Sequence, residues 1–428
     1  MHTEILTTGD EVCSGAIVDS NAAHIATRIE EIGIKIERQT CVRDDIKALS
    51  GAIKNMAQRA DIVIVTGGLG PTVDDVTSQS AAKAAGVELA QDSEALNTMH
   101  AFFKKLNRPI KGMNKKQALL PQGSKCLENT IGTAPGFCMA ISGCTFFFLP
   151  GVPIEMRLML ADKVLPRIAA LRGESDDHYM VKTISVFGLT ESAVNEHLVD
   201  FNEKYPAITL GFRAKFPEIH IKFYLQGNHV KRMENLIESA GKWVYQRIGD
   251  NVFSFEEHSM EDEVGRLLRR QKATLATAES CTGGLIAHRL TDVPGSSAYF
   301  LCSAVTYANE AKINVLGVSP DTLNRVGAVH EETVKEMAIG VRRISGATYG
   351  IAVSGIAGPD GGSDEKPVGT ICIGLAAPDY VEGYRFHFPF GDRRMRKLIF
   401  ATKALDILRR KLISYKFEVE SIKLSHKE

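Results

Sequence analysis

Residues 62–72 read Ile62-Val63-Ile64-Val65-Thr66-Gly67-Gly68-Leu69-Gly70-Pro71-Thr72. The opening apolar run is short and shows no polar alternation, the pattern of a strand covered on both faces. It passes directly into a glycine-rich loop, so the stretch predicts a strand–loop–helix unit of a mostly parallel α/β sheet. Upstream, residues 4–7 predict a strand running into Gly9-Asp10-Glu11. Asp19 or Ser20 can cap a helix there. Its apolar positions Ala22, Ile25, Ala26, Ile29 and Ile32 share one face, and Gly33 ends it.

After Pro150-Gly151-Val152-Pro153 the pattern changes. A strand over 183–187, a helix over 192–201, strands over 208–212 and 219–225 and a helix over 230–247 give the order β-α-β-β-α. That order resembles a KH-like fold. The Gly-x-x-Gly loop with which such modules clamp nucleic acid is missing, so the segment reads as a structural spacer rather than an RNA binder. A third region begins at Met260, where Val264, Leu267 and Leu268 mark an amphipathic helix. A strand over 273–278 leads into a helix opened by residues 279–284. Further strands are expected near 298–307, 349–353, 370–375 and 384–388, with a closing helix over 394–411. The prediction is a multidomain α/β chain: an α/β domain at 1–168, a small α+β module at 169–252, a second α/β domain at 253–415 and a tail at 416–428 that frays from about Ser414.

A chain of 428 residues exceeds one ordinary core. Lys+Arg and Asp+Glu each total 51, so no global field favours nucleic acid or an anionic membrane, and neither is an expected partner. None of the eight cysteines forms a Cys-x-x-Cys pair; they read as buried free thiols in a reducing compartment. The start has no basic segment followed by an apolar run, and no stretch approaches the roughly 18 apolar residues of a spanning helix. A cytoplasmic homodimer is expected.

Ser280 sits where a strand hands over to a helix. The following Thr282, Gly283 and Gly284 place helix-start N–H groups beside it, which can hold an oxyanion or a phosphate. Serine needs a base. The chain has no Gly-x-Ser-x-Gly elbow, so a Ser-His-Asp arrangement is not indicated, although His288 and His330 stay open. Tyr307 ends a strand and Lys312 lies in the next turn. Desolvated, Lys312 could serve as the base, and a tyrosine hydroxyl could relay a proton. Equally, both residues suit ordinary strand-end and turn positions. Ser354, Gly355 and Gly358 belong to a dense glycine block over 353–362, readable as a hairpin loop or as a loop that lets backbone approach a ligand. Arg393 and Arg394 open the last helix, as a solvated basic start or a phosphate clamp.

Taken in order, ESCTGG (279–284), VTYANEAK (305–312), SGIAGPDGG (354–362) with PVGT (367–370), and GDR (391–393) resemble the nicotinamide-nucleotide amidase domain found alone or at the end of CinA proteins. The resemblance implies hydrolysis of the carboxamide of nicotinamide mononucleotide with release of ammonia, without metal or cofactor. It makes Ser280 the nucleophile, Lys312 its base and Tyr307 a support for proton transfer. Thr282, Gly283, Gly284, Ser354, Gly355 and Gly358 would contact substrate, and Arg393 or Arg394 would hold the phosphate. The family often carries a further arginine one turn on, where Arg396 and Lys397 crowd together.

In the first domain, Gly67, Gly68 and Gly70 would keep Cβ atoms away from a phosphorylated ligand. Asp74 and Asp75 could hold a divalent ion or simply cap a helix. The wider set is TGDEVCSGAIVDSNA (8–22), TGGLGPTVDDVT (66–77), NKKQA (114–118), NTIGTAPG (129–136) and LPGVPIEM (149–156). It resembles the molybdopterin-binding-like domain of CinA proteins, so the resemblance covers residues 1–413. It implies ADP-ribose pyrophosphate hydrolysis needing a divalent cation, or a domain that only binds a pterin or nucleotide. Asp10, Thr72, Asn114 and Gly136 are the implied additional ligand contacts, with Glu11 and Asp19 as further acidic candidates. The family's competence-related name suggests a non-enzymatic partner in DNA uptake, against which zero net charge and the lack of a DNA-reading motif both argue.

Overall fold

The computed structural model describes residues 1–110, 112–172 and 178–425, with 414–425 described by backbone only. The chain forms two compact units, residues 1–181 with 225–233, and residues 182–224 with 234–428.

In the first unit, β1 (Thr3–Thr8), β2 (Ile36–Val42) and β3 (Ile62–Thr66) are followed by a small antiparallel pair, β4 (Leu89–Gln91) with β5 (Leu119–Pro121). Then come β6 (Lys125–Leu127), β7 (Gly136–Ile141) and β8 (Cys144–Leu149). The main sheet has the order β2-β1-β3-β8-β7-β6. β1 runs parallel to β2 and β3, β3 runs parallel to β8, and β7 is antiparallel to both its neighbours. Alternate residues explain the unbroken apolar run. Ile5, Ile62 and Ile64 pack with Ile25 and Ile29 in one core, whereas Leu6, Val63 and Val65 pack with Leu49 and Ile53 in another. Asp19 caps the helix Ser20–Glu31 by accepting from the Ala22 N–H at 2.8 Å, and Gly33 follows it at φ 79°.

In the KH-like module, β9 (His178–Phe187), β10 (Ile208–Lys215), β11 (Glu218–Gly227) and β12 (Val252–Ser254) form a sheet ordered β10-β11-β9-β12. The single helix expected over 192–201 is two, Glu191–His197 and Phe201–Lys204. The break turns Phe201 inward, where its ring stacks on Phe223 at 5.1 Å, and leaves Asp200 facing Arg247 at 2.7 Å. β12 lies outside the expected set. Its Phe253, with Phe187, joins the core that also holds Val264 and Leu268, so the boundary expected at 252/253 falls inside a shared core.

The last sheet comprises β13 (Leu275–Glu279), β14 (Phe300–Val305), β15 (Tyr349–Gly355), β16 (Thr370–Ala376) and β17 (Val381–His387), in the order β14-β13-β15-β16-β17. β14, β13 and β15 are parallel; β16 and β17 are antiparallel additions. One face is large, with Leu275, Ile351, Val353 and Ile373 packed against Val264, Leu268, Phe400 and Leu408. The other is small, with Ala276, Ala278 and Ala352 packed against Val334, Met337 and Val341 of the helix Glu331–Ser345. That helix rests on backbone: a Cβ at Gly374 would stand 2.0 Å from the Val334 carbonyl oxygen. The helix Arg393–Ser425 runs on through the residues expected to form the tail. Residues 414–425 contain no glycine or proline to stop a helix. No helix of the described residues is long and apolar enough to cross a membrane.

Candidate active site

β13 lies between β14 and β15, both of which follow it in the chain. Its C-terminal end is therefore a topological switch point, where open parallel sheets leave a crevice. The Ser280 N–H donates to the Val353 carbonyl at 3.0 Å, and the Thr306 N–H donates to the Glu279 carbonyl at 2.9 Å. Ser280, Thr306 and Ser354 thus gather at three adjacent strand ends. Lys312, only 1% exposed, extends into the same place. Its Nζ lies 3.2 Å from Ser280 Oγ, 2.9 Å from the Thr306 carbonyl oxygen and 3.0 Å from that of Tyr307. Burial pushes the Lys312 pKa below its ordinary 10.5, and the fields of Cys281 and Glu310 offset this only in part.

That three-way contact has a simple reading. Protonated, the amine donates to all three oxygens, Ser280 Oγ included. Once it has lost a proton, the two carbonyl oxygens, which can only accept, hold its two remaining hydrogens, and its lone pair faces the Ser280 hydroxyl. The other candidate bases are elsewhere. His288 is exposed beside Asp292, and His330 Nδ1 accepts from the Glu332 N–H at the start of its own helix. Cys281, next to the serine, is buried, and that burial holds its thiol up at about 12, which removes it as a competing nucleophile near neutral pH.

The expected free donors at Gly283 and Gly284 need correction. The Glu279 carboxylate, itself fully buried, accepts from the N–H groups of Gly284 at 3.0 Å, Ile286 at 3.1 Å and Ala287 at 2.8 Å. Gly283 N–H donates to the Ser280 carbonyl at 3.0 Å. The helix Leu285–Asp292 begins later than expected and is already capped by the chain's own carboxylate. What remains are the N–H groups of Cys281 and Thr282, directly after the serine, which make no backbone hydrogen bond among the described residues. The buried hydroxyls of Thr282 and Thr306 likewise have no partner there. Sequence reasoning missed Glu279, although an acid just ahead of a helix start is a capping signal.

Ser354 is buried at the end of β15. Gly355 is there for packing, since a Cβ would meet the Thr370 carbonyl at 2.8 Å and Cys281 Sγ at 3.2 Å. The two arginines separate. Arg393 donates to the Gly358 carbonyl at 2.7 Å and to the Tyr307 hydroxyl at 3.0 Å, whereas Arg394 is exposed and away from these contacts. Arg396 donates to the Ala357 carbonyl at 3.2 Å. Lys397 Nζ lies 3.5 Å from where a Cβ on Gly283 would stand. Tyr307 meets Lys312 through its carbonyl, while its ring is 63% exposed and its hydroxyl faces Arg393.

The first unit has its own cavity of about 340 Å³ at the C-terminal ends of β1, β3 and β8. Gly67, Gly68 and Gly70 line it as expected, together with Asp74 and Asp75. Gly67 sits at φ 111°, and a Cβ there would come 2.4 Å from the Thr8 carbonyl oxygen. Asp75 is engaged: it accepts from the Thr72 N–H at 2.8 Å and the Thr72 hydroxyl at 2.5 Å. Thr72 therefore braces the loop rather than lining the cavity. Asp10, Asn114 and Gly136 are not in the wall either. Asp10 N–H turns to Asp44, and a Cβ at Gly136 would stand 2.5 Å from the Phe148 carbonyl, so that glycine serves sheet packing. Glu11, Asp44, Gln117 and Glu155 line the cavity instead. Gln117 Oε1 is buried without a partner, and burial raises the Glu155 pKa despite a hydrogen bond from Asn129 at 2.6 Å. Among the described residues no group of three or more His, Cys, Asp or Glu side chains is placed to hold a metal.

Residues 257–412 match the CinA C-terminal domain and residues 181–254 the KH domain of the damage-inducible protein CinA. Residues 4–170 match a family described as "Probable molybdopterin binding domain". A CinA-like protein of Desulfosudis oleivorans is 51% identical over 413 residues, covering 96% of this chain and 100% of that one. The chain belongs to the CinA family. A second CinA-like protein, of Geobacter metallireducens, is 42% identical over 417 residues, covering 97% of this chain and 100% of that one. Among solved structures, the competence damage-inducible protein A (ComA) of Klebsiella pneumoniae is 39% identical, covers 36% of this chain and 95% of that chain, and has a TM-score of 0.35. The expected CinA membership holds, as does a multidomain α/β architecture with a KH-like module. In this CinA chain the match over 257–412 takes in Ser280, Lys312 and Arg393, and the match over 4–170 takes in the whole N-terminal cavity.

Proposed function

We propose that the C-terminal domain hydrolyses the carboxamide of nicotinamide mononucleotide to the carboxylate and ammonia. The observation that carries this reading is the buried Lys312 amine, its hydrogens held by two carbonyls and its remaining position turned to Ser280. Ser280 Oγ attacks the carboxamide carbon as its proton passes to Lys312 Nζ. The oxyanion accepts from the N–H groups of Cys281 and Thr282. Lys312 then gives its proton to the departing nitrogen, and ammonia leaves an acyl-serine. Water, deprotonated by the same amine, releases the carboxylate. Ser354 hydrogen-bonds the carboxamide. Arg393, aligned by Tyr307, and Lys397 hold the phosphate. The test is ammonia release from nicotinamide mononucleotide without added metal. Wild type should turn over, and Ser280→Ala should lose at least about 10³-fold. Equal release by folded Ser280→Ala would remove the serine from the chemistry, and no release by wild type would remove the reaction.

For the N-terminal cavity, the glycine-lined wall supports a pyrophosphate-bearing nucleotide such as ADP-ribose. Asp74 and Asp75 would hold a divalent ion; both carboxylates hydrogen-bond Thr72, and that bond, with the nearby Lys116, keeps the Asp74 pKa below the usual carboxylate range and so keeps it ionised. Such an ion would neutralise the pyrophosphate. Loss of ADP-ribose on adding magnesium distinguishes a hydrolase from a domain that only binds a pterin or nucleotide.

A further inference from the structure

We propose that Cys13 and Cys41 are a reversible disulfide site, joined to the N-terminal cavity through the short helix that carries Glu11 and closed by exchange with a small-molecule disulfide. Their sulfurs stand 3.0 Å apart. Cys13 ends the short helix Asp10–Cys13, and Cys41 lies in β2 opposite Thr7 of β1. A disulfide has its sulfurs about 2.05 Å apart, so closure needs a movement of only about 1 Å, within reach of side-chain rotation. The pair is also accessible. Cys41 is exposed and Cys13 half-buried, whereas Cys144, Cys281 and Cys372 are buried. All eight thiols are free, as expected, but only Cys144, Cys281 and Cys372 are buried; Cys13, Cys126, Cys138 and Cys302 are partly accessible and Cys41 is exposed.

One of the two thiols, as its thiolate, attacks one sulfur of the small disulfide and expels one small thiolate, leaving a mixed disulfide on the protein. The other thiol, 3.0 Å away, gives its proton to the departing small thiolate, attacks the protein sulfur and expels the second small thiol. Two protein thiols are oxidised by two electrons, and the small disulfide is reduced to two thiols. The new bond ties the helix Asp10–Cys13 to β2. Glu11 of that helix lines the cavity, so the bond constrains part of its wall.

The full-length chain is incubated with oxidised glutathione, quenched in acid, unfolded and alkylated. The alkylated thiols should fall from eight to six, with a peptide joining Cys13 to Cys41 that dithiothreitol separates. In Cys41→Ser and in Cys13→Ser the remaining thiol has no partner to resolve a mixed disulfide, so glutathione should remain on it and no peptide joining positions 13 and 41 should form. Eight alkylated thiols in wild type, with a control peptide thiol exchanging in the same tube, would overturn the proposal. So would a linkage between other cysteines, or glutathione that stays on Cys13 or Cys41 of wild type.

Discussion

Arginine in place of Lys312 removes proton acceptance and keeps donors for the carbonyls of Thr306 and Tyr307. A guanidinium does not lose its proton at any working pH, so it cannot take one from Ser280. General-base assistance is worth roughly 10²–10⁴-fold, about 2.7–5.4 kcal/mol of barrier at about 1.36 kcal/mol per decade. Lys312→Met is the poorer probe. It leaves two buried carbonyl oxygens without their donor at about 1–3 kcal/mol each, a sum of about 2–6 kcal/mol that competes with the total stability of a domain. The assay is kcat for ammonia release against pH, with thermal unfolding measured on the same samples. Wild-type kcat should rise with pH through the depressed Lys312 value and flatten above it, because the amine is the active form. Lys312→Arg should be slower by 10²–10⁴-fold, and that rise should vanish. Stability carries the same sign. Between the lowered folded value and the ordinary 10.5 the unfolded chain binds more protons, so unfolding free energy increases with pH across that window, and below it the burial cost is fully present. A folded arginine variant within threefold of wild type, or one that keeps the pH rise, would refute the base assignment.

Glu279→Gln leaves one of three helix-start N–H groups facing an amide instead of an oxygen; a loss of about 1–3 kcal/mol and a lower kcat should follow, read by thermal unfolding and ammonia release. Asp74→Asn should abolish magnesium-dependent ADP-ribose cleavage while ammonia release stays at the wild-type rate; joint loss of both would instead report unfolding. Gly374→Ala drives a methyl against the Val334 carbonyl and should lower stability by about 1–3 kcal/mol, seen as a reduced denaturant midpoint at unchanged slope.

What the sequence made legible follows from what is local. Ile62–Thr66 had to be a doubly covered strand because nothing in it could face water, and Asp19 had to cap because its carboxylate lies next to the N–H groups that need an acceptor. From the residues alone the pairing of Ser280 with Lys312 was one option among several, and the resemblance singled it out, since 32 residues separate them and their contact depends on the order of β14, β13 and β15. Failures cluster where one residue could serve two neighbours. Gly283 and Gly284 carry the right chemistry for an anion, but Glu279, five residues before Gly284, already holds that donor. Asn114 and Gln117 lie in one short 3₁₀ segment, and which of them enters the cavity depends on how the segment Gly112–Ala118 is rotated against the sheet. Composition says nothing about that rotation.

The two sites use the same topological place and opposite electrostatics, and this bears on why one reading invokes a metal and the other does not. In the C-terminal site Arg393 and Lys397 lie near the loop that follows Ser280, so a mononucleotide phosphate bound there would find its counter-charge in the protein. The N-terminal cavity is lined by Glu11, Asp44, Asp74, Asp75 and Glu155, with no lysine or arginine among its lining residues. A pyrophosphate placed there meets carboxylates at close range, where like charges repel strongly. Burial raises the Glu155 pKa, Thr72 hydrogen-bonds Asp75, and the positive charge nearest the loop is Lys116, whose amine donates to the Thr72 carbonyl and whose field lowers the Asp74 pKa. A divalent cation entering with the ligand would supply the further positive charge that an acid-lined cavity needs to take a pyrophosphate. ADP-ribose affinity should therefore depend steeply on magnesium even in a variant that no longer cleaves it.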